Sequence, residues 1–231
     1  IEDIPPREYM FVLDVSGSMC GFPLDTAKDL IKNLVSNLRE TDSFNLMMFS
    51  DEAFLMSSTS VAANEKNINT AIRLIDEQQG GGGTELAPAL EAALSFLGDQ
   101  NEARSVVVIT DGYISGEREI FNIIDDNLDK VSFFSFGIGT SVNRYLIDGI
   151  AKAGIGESFV VTDSSEASET AERFRTYIES PILTDIQVTY DGFDVYDVEP
   201  KKLPTLFAQR PIVVYGKWRG DLTGTVKITG N

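Results

Sequence analysis

Asp14, Ser16 and Ser18 in VLDVSGSMCG, Thr84 in GGGGTEL and Asp111 in VVVITDG are the residues whose types and places could do chemistry together. Each stands where an apolar run or a glycine-rich turn ends, so three loops can converge on one point. Two carboxylates with three hydroxyls make an all-oxygen donor set. Such a set suits a hard cation, Mg²⁺ first with Ca²⁺ or Mn²⁺ as substitutes, and does not suit zinc or copper. Acids that hold the ion through water leave it under-neutralised, and it still attracts an anionic ligand from outside. That is the chemistry of recognition.

The elements that must position these residues follow an alternating order. Tyr9–Leu13, Phe44–Phe49, Val106–Ile109 and Val131–Phe136 are short apolar runs with little alternation, as expected of strands covered on both faces. Leu24, Ala27, Ile31, Leu34, Val35 and Leu38 share one helical face, and Pro23 suits the first turn of that helix. A second stripe is Leu86, Leu90, Ala93, Leu94 and Leu97, and a third is Ile68, Ala71, Ile72 and Ile75. Asp163 and Glu166 have the spacing of a capping box, opening a helix that runs to about Glu179. Ala53–Met56 forms an edge hairpin with Phe44–Phe49. This βαβα rhythm predicts an α/β fold, a doubly wound, mainly parallel sheet with helices on both faces.

The character changes at Ser180-Pro181. ILTDIQVTY, FDVYDVEP, PIVVYGKW and GTVKITG read as strands, with turns at Asp191-Gly192, Pro204 and Asp221. The chain therefore divides into an α/β domain, 1–180, and a small all-β extension, 181–231. The extension is too short to close a sandwich alone and reads as an incomplete β-domain.

In an open α/β sheet, ligands bind beyond the carboxyl ends of strands where loop directions diverge. Asp14 and Asp111 both belong to that crevice. Gly17 permits a tight backbone between the two serines, and Gly80–Gly83 lets the Thr84 loop approach closely.

Composition narrows the function. The chain has 231 residues, 42% of them hydrophobic, with 19 basic against 36 acidic side chains, a net charge of −17. Nucleic acid and an anionic membrane surface are repelled by that field. No run approaches the roughly 20 apolar residues of a membrane span. The sequence lacks histidine, which removes the commonest general base and the Ser-His-Asp arrangement. Cys20 is the single cysteine, so no internal disulfide forms, and its place beside the serine loop reads as that of a small rim residue. The start, IEDIPPREYM, does not begin with Met and lacks a signal pattern, and reads as a segment of a longer protein.

The series DxSxS, glycine-rich Thr loop and TDG, in order and spacing over about residues 7–180, resembles the metal-ion-dependent adhesion site of von Willebrand factor type A domains. The resemblance implies that Ser16 and Ser18 bind the cation directly. Thr84 would bind directly or through water, with Asp14 and Asp111 holding the ion directly or from behind water. It implies a non-enzymatic adhesion or scaffold module whose cation captures an Asp or Glu carboxylate of a protein partner, at an extracellular, cell-surface or periplasmic location. The extension, with PIVVYGKW and GTVKITG, is similar to bacterial proteins related to inter-alpha-trypsin inhibitor heavy chains.

Two alternatives stand beside this reading. One is a Mg²⁺-dependent phosphatase or hydrolase. Enzymes resembling the haloacid dehalogenase group need a second Asp where this chain has Ser16, and a P-loop needs a Lys where Thr84-Glu85 follows the glycines. The other is an intracellular assembly module with a structural metal.

Overall fold

The computed structural model describes residues 6–96, 103–114, 116–178, 181–192, 194–208, 211–221 and 223–231. In chain order the elements are β1 (Arg7–Asp14), α1 (Phe22–Ser36), β2 (Ser43–Phe49), β3 (Ala53–Leu55), β4 (Val61–Ala62), α2 (Glu65–Asp76), α3 (Leu86–Ser95), β5 (Ala103–Thr110), α4 (Glu117–Asp126), β6 (Ser132–Ile138), α5 (Arg144–Ala153), β7 (Ser158–Val161) and α6 (Ala167–Ile178). The extension adds β8 (Pro181–Leu183), β9 (Gln187–Asp191), β10 (Asp194–Glu199), β11 (Leu206–Phe207), β12 (Tyr215–Arg219) and β13 (Thr225–Thr229).

The main sheet runs β3-β2-β1-β5-β6-β7, with β4 also pairing β2. The pairs β1–β2, β1–β5, β5–β6 and β6–β7 are parallel, whereas β3 and β4 lie antiparallel to β2. β1 is central and buried along its whole length. Its alternate residues serve opposite faces, as the period of a strand requires. Tyr9, Phe11 and Leu13 join one core with residues of α1, α2 and α6, while Met10 and Val12 join the other with α3, α4 and α5. Burial on both sides is why these strands read as continuous apolar runs. The chain moves from β1 towards β2 on one side and later enters β5 on the other. The carboxyl ends of β1 and β5 therefore border the crevice where loop directions diverge.

Several elements differ from expectation. Helices α4 and α5 and strand β7 add to the expected elements; both helices are amphipathic, with buried apolar residues recurring at helical spacing. In α4 only Ile120 and Ile124 are buried, and β7 is four residues of alternating burial. The capping box at Asp163 is displaced. A 3-10 turn, Ser164–Glu166, precedes α6, so the Asp163 carboxylate accepts from the backbone of Ser165 at 2.9 Å and Glu166 reaches back to the N–H of Thr162 at 3.0 Å. ILTDIQVTY is two strands, β8 and β9, because Asp185 turns the chain with φ of 49°. In PIVVYGKW the strand begins only at Tyr215. Leu97, Glu179, Ser180, Phe193 and the first five residues lie outside the described residues.

The extension forms three two-stranded antiparallel ribbons, β8–β11, β9–β13 and β10–β12. β8–β11 packs beneath the α/β part, where the ring of Phe207 lies 6.2 Å from that of Phe134. The Lys202 ammonium also pairs with Asp129, 3.0 Å away. Every residue of β12 and β13 is exposed, including Trp218, Val226 and Ile228. Among the described residues, no helix is long and apolar enough to cross a membrane.

Candidate metal centre

Asp14 is the last residue of β1 and is fully buried. One carboxylate oxygen accepts the N–H of Ser16 at 2.9 Å, and the other accepts the hydroxyl of Thr110 at 2.6 Å. Ser16 is buried, Ser18 is exposed, and their hydroxyl oxygens lie 3.2 Å apart. A 3-10 turn, Gly17–Met19, joins them, with Met19 buried as its anchor. The loop thus presents both hydroxyls on one side, from the floor of the site to its rim.

Burial pushes the Asp14 carboxyl above the ordinary carboxylate range, because desolvation penalises its charged form. Hydrogen bonds from Ser16 and Thr110 offset part of this, and the nearby charge of Asp111 adds to it. Asp111 is itself 4% exposed, and its Oδ1 accepts the N–H of Tyr113 at 3.1 Å. Among the described residues neither acid has an ion-pair partner. Two buried, neighbouring carboxylates without a counter-charge are costly.

Thr84 arrives on the third loop. Gly81 donates to the carbonyl of Val15 and Gly17 donates to that of Gly82, both at 3.0 Å, so the glycine run is stitched to the serine loop. A Cβ on Gly17 would stand 3.2 Å from that Gly82 carbonyl, and Gly82 itself has φ of +80°. Close approach and a left-handed backbone both explain glycine here. Asp51 accepts the N–H of Gly83 at 2.8 Å, and Lys28 donates to the carbonyl of Gln78 at 2.6 Å, fixing both sides of the run. Thr84 is half-buried and lines an open cleft of about 670 Å³ with Glu85, Tyr113, Ile114, Val142 and Asn143. Among the described residues it makes no hydrogen bond to the other four site residues.

The three loops therefore meet at the carboxyl ends of β1 and β5. Among the described residues, no three of His, Cys, Asp and Glu gather to hold a metal. A cation here would depend on hydroxyl oxygens to complete its set. Asp14, Ser16, Ser18, Thr84 and Asp111 fit a hard divalent ion by donor chemistry and by the charge that the two acids lack. Sequence reasoning missed two members of the surroundings. Thr110 bridges Asp14 and the N–H of Gly112, 2.9 Å away; its signal was a hydroxyl closing an apolar run. Asn143 touches the Asp111 turn from α5 and carried no sequence signal beyond that of a helix cap.

A family profile described as the von Willebrand factor type A domain matches residues 7–160. A von Willebrand factor A domain-containing protein of Dictyostelium discoideum is 28% identical over 228 residues, 97% of this chain and 24% of that protein. Inter-alpha-trypsin inhibitor heavy chain H2 of Sus scrofa is 27% identical over 229 residues, 94% of this chain and 24% of that protein. The chain thus spans about a quarter of the length of these relatives. The solved structure of a von Willebrand factor type A protein from Catenulispora acidiphila superposes with a TM-score of 0.73 at 18% identity, covering 98% of this chain and 55% of that one. An aerotolerance-related membrane protein from Bacteroides fragilis gives 0.61 at 22% identity, covering 72% of this chain and 97% of that one.

Proposed function

This chain belongs to the von Willebrand factor type A domain family, and on that footing we propose that it is a non-enzymatic, cation-dependent protein-binding module. Asp14, Ser16, Ser18, Thr84 and Asp111 hold a divalent cation, Mg²⁺ in the first instance. The cation takes a carboxylate from an Asp or Glu of a protein partner. Residues 1–180 form the binding domain, and 181–231 form an incomplete β-domain attached to it. The place of action is extracellular, at the cell surface or periplasmic.

The observation that carries this reading is the pair of buried acids, Asp14 and Asp111, without a cationic partner among the described residues, beside the Ser16 and Ser18 loop, with Thr84 on the wall of an open cleft. A cation supplies the missing charge, and the open side leaves room for an external ligand. Tyr113, 56% exposed, lines that cleft and offers aromatic contact. The test is calorimetric titration of Mg²⁺ into the full chain and into Asp14→Ala, with circular dichroism checking the fold. The substitution is expected to abolish binding while the domain stays folded, since Asp14 ends a strand and the ligands come from loops. Unchanged affinity in the folded variant would sink the assignment.

A further inference from the structure

We propose that Asn143 is a positioning residue, a latch that fixes the Asp111–Gly112 turn to the start of α5 and so sets where the Asp111 carboxylate stands. The inference rests on the cation reading above and extends it to a residue outside the five site positions.

Asn143 uses its backbone and both ends of its side chain. Its N–H donates to the carbonyl of Asp111 at 3.0 Å, and its side-chain NH₂ donates to the carbonyl of Gly112 at 2.9 Å. Its side-chain oxygen accepts the N–H of Leu146 at 3.3 Å, capping α5. These partners fix the orientation of the amide, because the Leu146 N–H requires an acceptor and the Gly112 carbonyl a donor. Gly112 has φ of +84°, and a Cβ there would lie 2.9 Å from that of Asn143. The turn and the latch are therefore in direct contact, and only glycine allows it.

The polar groups of the turn are committed around this contact. Gly112 N–H donates to the Thr110 hydroxyl at 2.9 Å, and that hydroxyl donates onward to Asp14. Tyr113 N–H donates to the Asp111 carboxylate, and Ile114 N–H shares the Gly112 carbonyl at 2.9 Å. Asp14 is thus held from β5 through Thr110, and Asp111 from α5 through Asn143. Without the side-chain donor, the Gly112 carbonyl keeps only the N–H of Ile114, and the turn that aims Asp111 loses one of its two ties to the start of α5. Groups that orient ligating carboxylates matter to cation affinity nearly as much as the ligands.

Asn143→Ser retains a capping oxygen but cannot reach Gly112, and Asn143→Asp retains the cap while replacing the donor by an acceptor. The experiment titrates Mn²⁺ and Mg²⁺ into the full parent chain, both variants and Asp14→Ala. It also measures thermal unfolding in chelator and amide exchange at residues 112–114. Both variants are expected to bind the cation about 10–100-fold more weakly, with chelator-state melting close to the parent and faster exchange in the turn. The added charge of Asn143→Asp would by itself tighten cation binding, so weakening there isolates the lost donor. Parent-like affinity and exchange in both variants overturn the latch. If the parent binds no cation, the cation reading fails, and exchange alone decides: faster turn exchange upholds the latch and unchanged exchange removes it.

Discussion

Replacing Phe207 by alanine removes the ring that joins the extension to the α/β core. Phe207 is 2% exposed and belongs to the same core as Phe134, Phe174 and Ile178. It stands on β11, opposite Pro181 of β8, the strand that follows α6. An aromatic side chain buries about 150–250 Å², which at ~25 cal/mol per Å² is worth at most about 4–6 kcal/mol. Alanine keeps part of that area, and buried Phe→Ala substitutions usually cost about 3–5 kcal/mol. We expect about 3–4 kcal/mol here, because β11 lies at the edge of the core and its short ribbon can partly collapse. Urea unfolding of the full chain measures it, as a fall in midpoint of ~1 M or more. Trp218 is the single tryptophan and lies in β12, so its fluorescence reports the extension while far-ultraviolet dichroism reports the helices. The two signals are expected to move together in the parent. A loss below ~1 kcal/mol, or helices that unfold at the parent midpoint, would refute the placement of Phe207 in the shared core.

Two further perturbations test other parts of the fold. Burial raises the Asp42 carboxyl, but hydrogen bonds from Arg7 and Arg39 outweigh it and hold the group below the ordinary range. The stability it contributes is therefore present above the unfolded value of about 4 and is lost as pH falls through the folded one. Asp42→Asn should cost ~3–5 kcal/mol at neutral pH and flatten the acid limb of a melting-temperature profile; an unaltered limb would contradict the sign. Gly82→Ala forces a side chain into a left-handed backbone and places its Cβ 2.4 Å from Asp51 Oδ2. About 1–2 kcal/mol of destabilisation and weaker Mg²⁺ binding are expected, and parent-like melting would show that the loop relaxes freely.

The strand ends that carry Asp14 and Asp111 were legible because β1 and β5 are buried on both faces and therefore continuous in the sequence. The helices α1, α2 and α3 were legible from their apolar stripes. What escaped depends on contacts distant in sequence. Phe207 stands between Leu206 and Ala208 in a stretch with no expected element, and only the fold brings it against Phe134. Asn143 caps α5 in the structure, and only the neighbouring strand end makes it a partner of Gly112 as well. The turn at Asp185 rests on a positive φ that Asp tolerates better than most residues but does not announce. Thr110 was in plain view beside Asp111, yet its bond to Asp14 needs β1 and β5 to be adjacent.

Charge gives the proposed capture its selectivity. The chain carries −17, whereas residues 181–231 contain six acidic and six basic side chains, so the excess belongs to the α/β part. Asp51, Glu52 and Glu85 stand exposed on the loops next to Thr84. An approaching acidic group is repelled by this field, but at physiological ionic strength screening confines the effect to about 8 Å. Inside that distance a desolvated divalent ion outweighs scattered surface charges, because attraction grows steeply as separation and effective dielectric fall. A partner that is acidic throughout meets the repulsion on every side and gains the cation contact only once. One that sets a single carboxylate among basic or neutral residues meets complementary charge at the rim and the ion at the centre. The acidic rim thus acts against polyanions while the cation acts for one acid, and the two together favour a lone Asp or Glu in a basic surround.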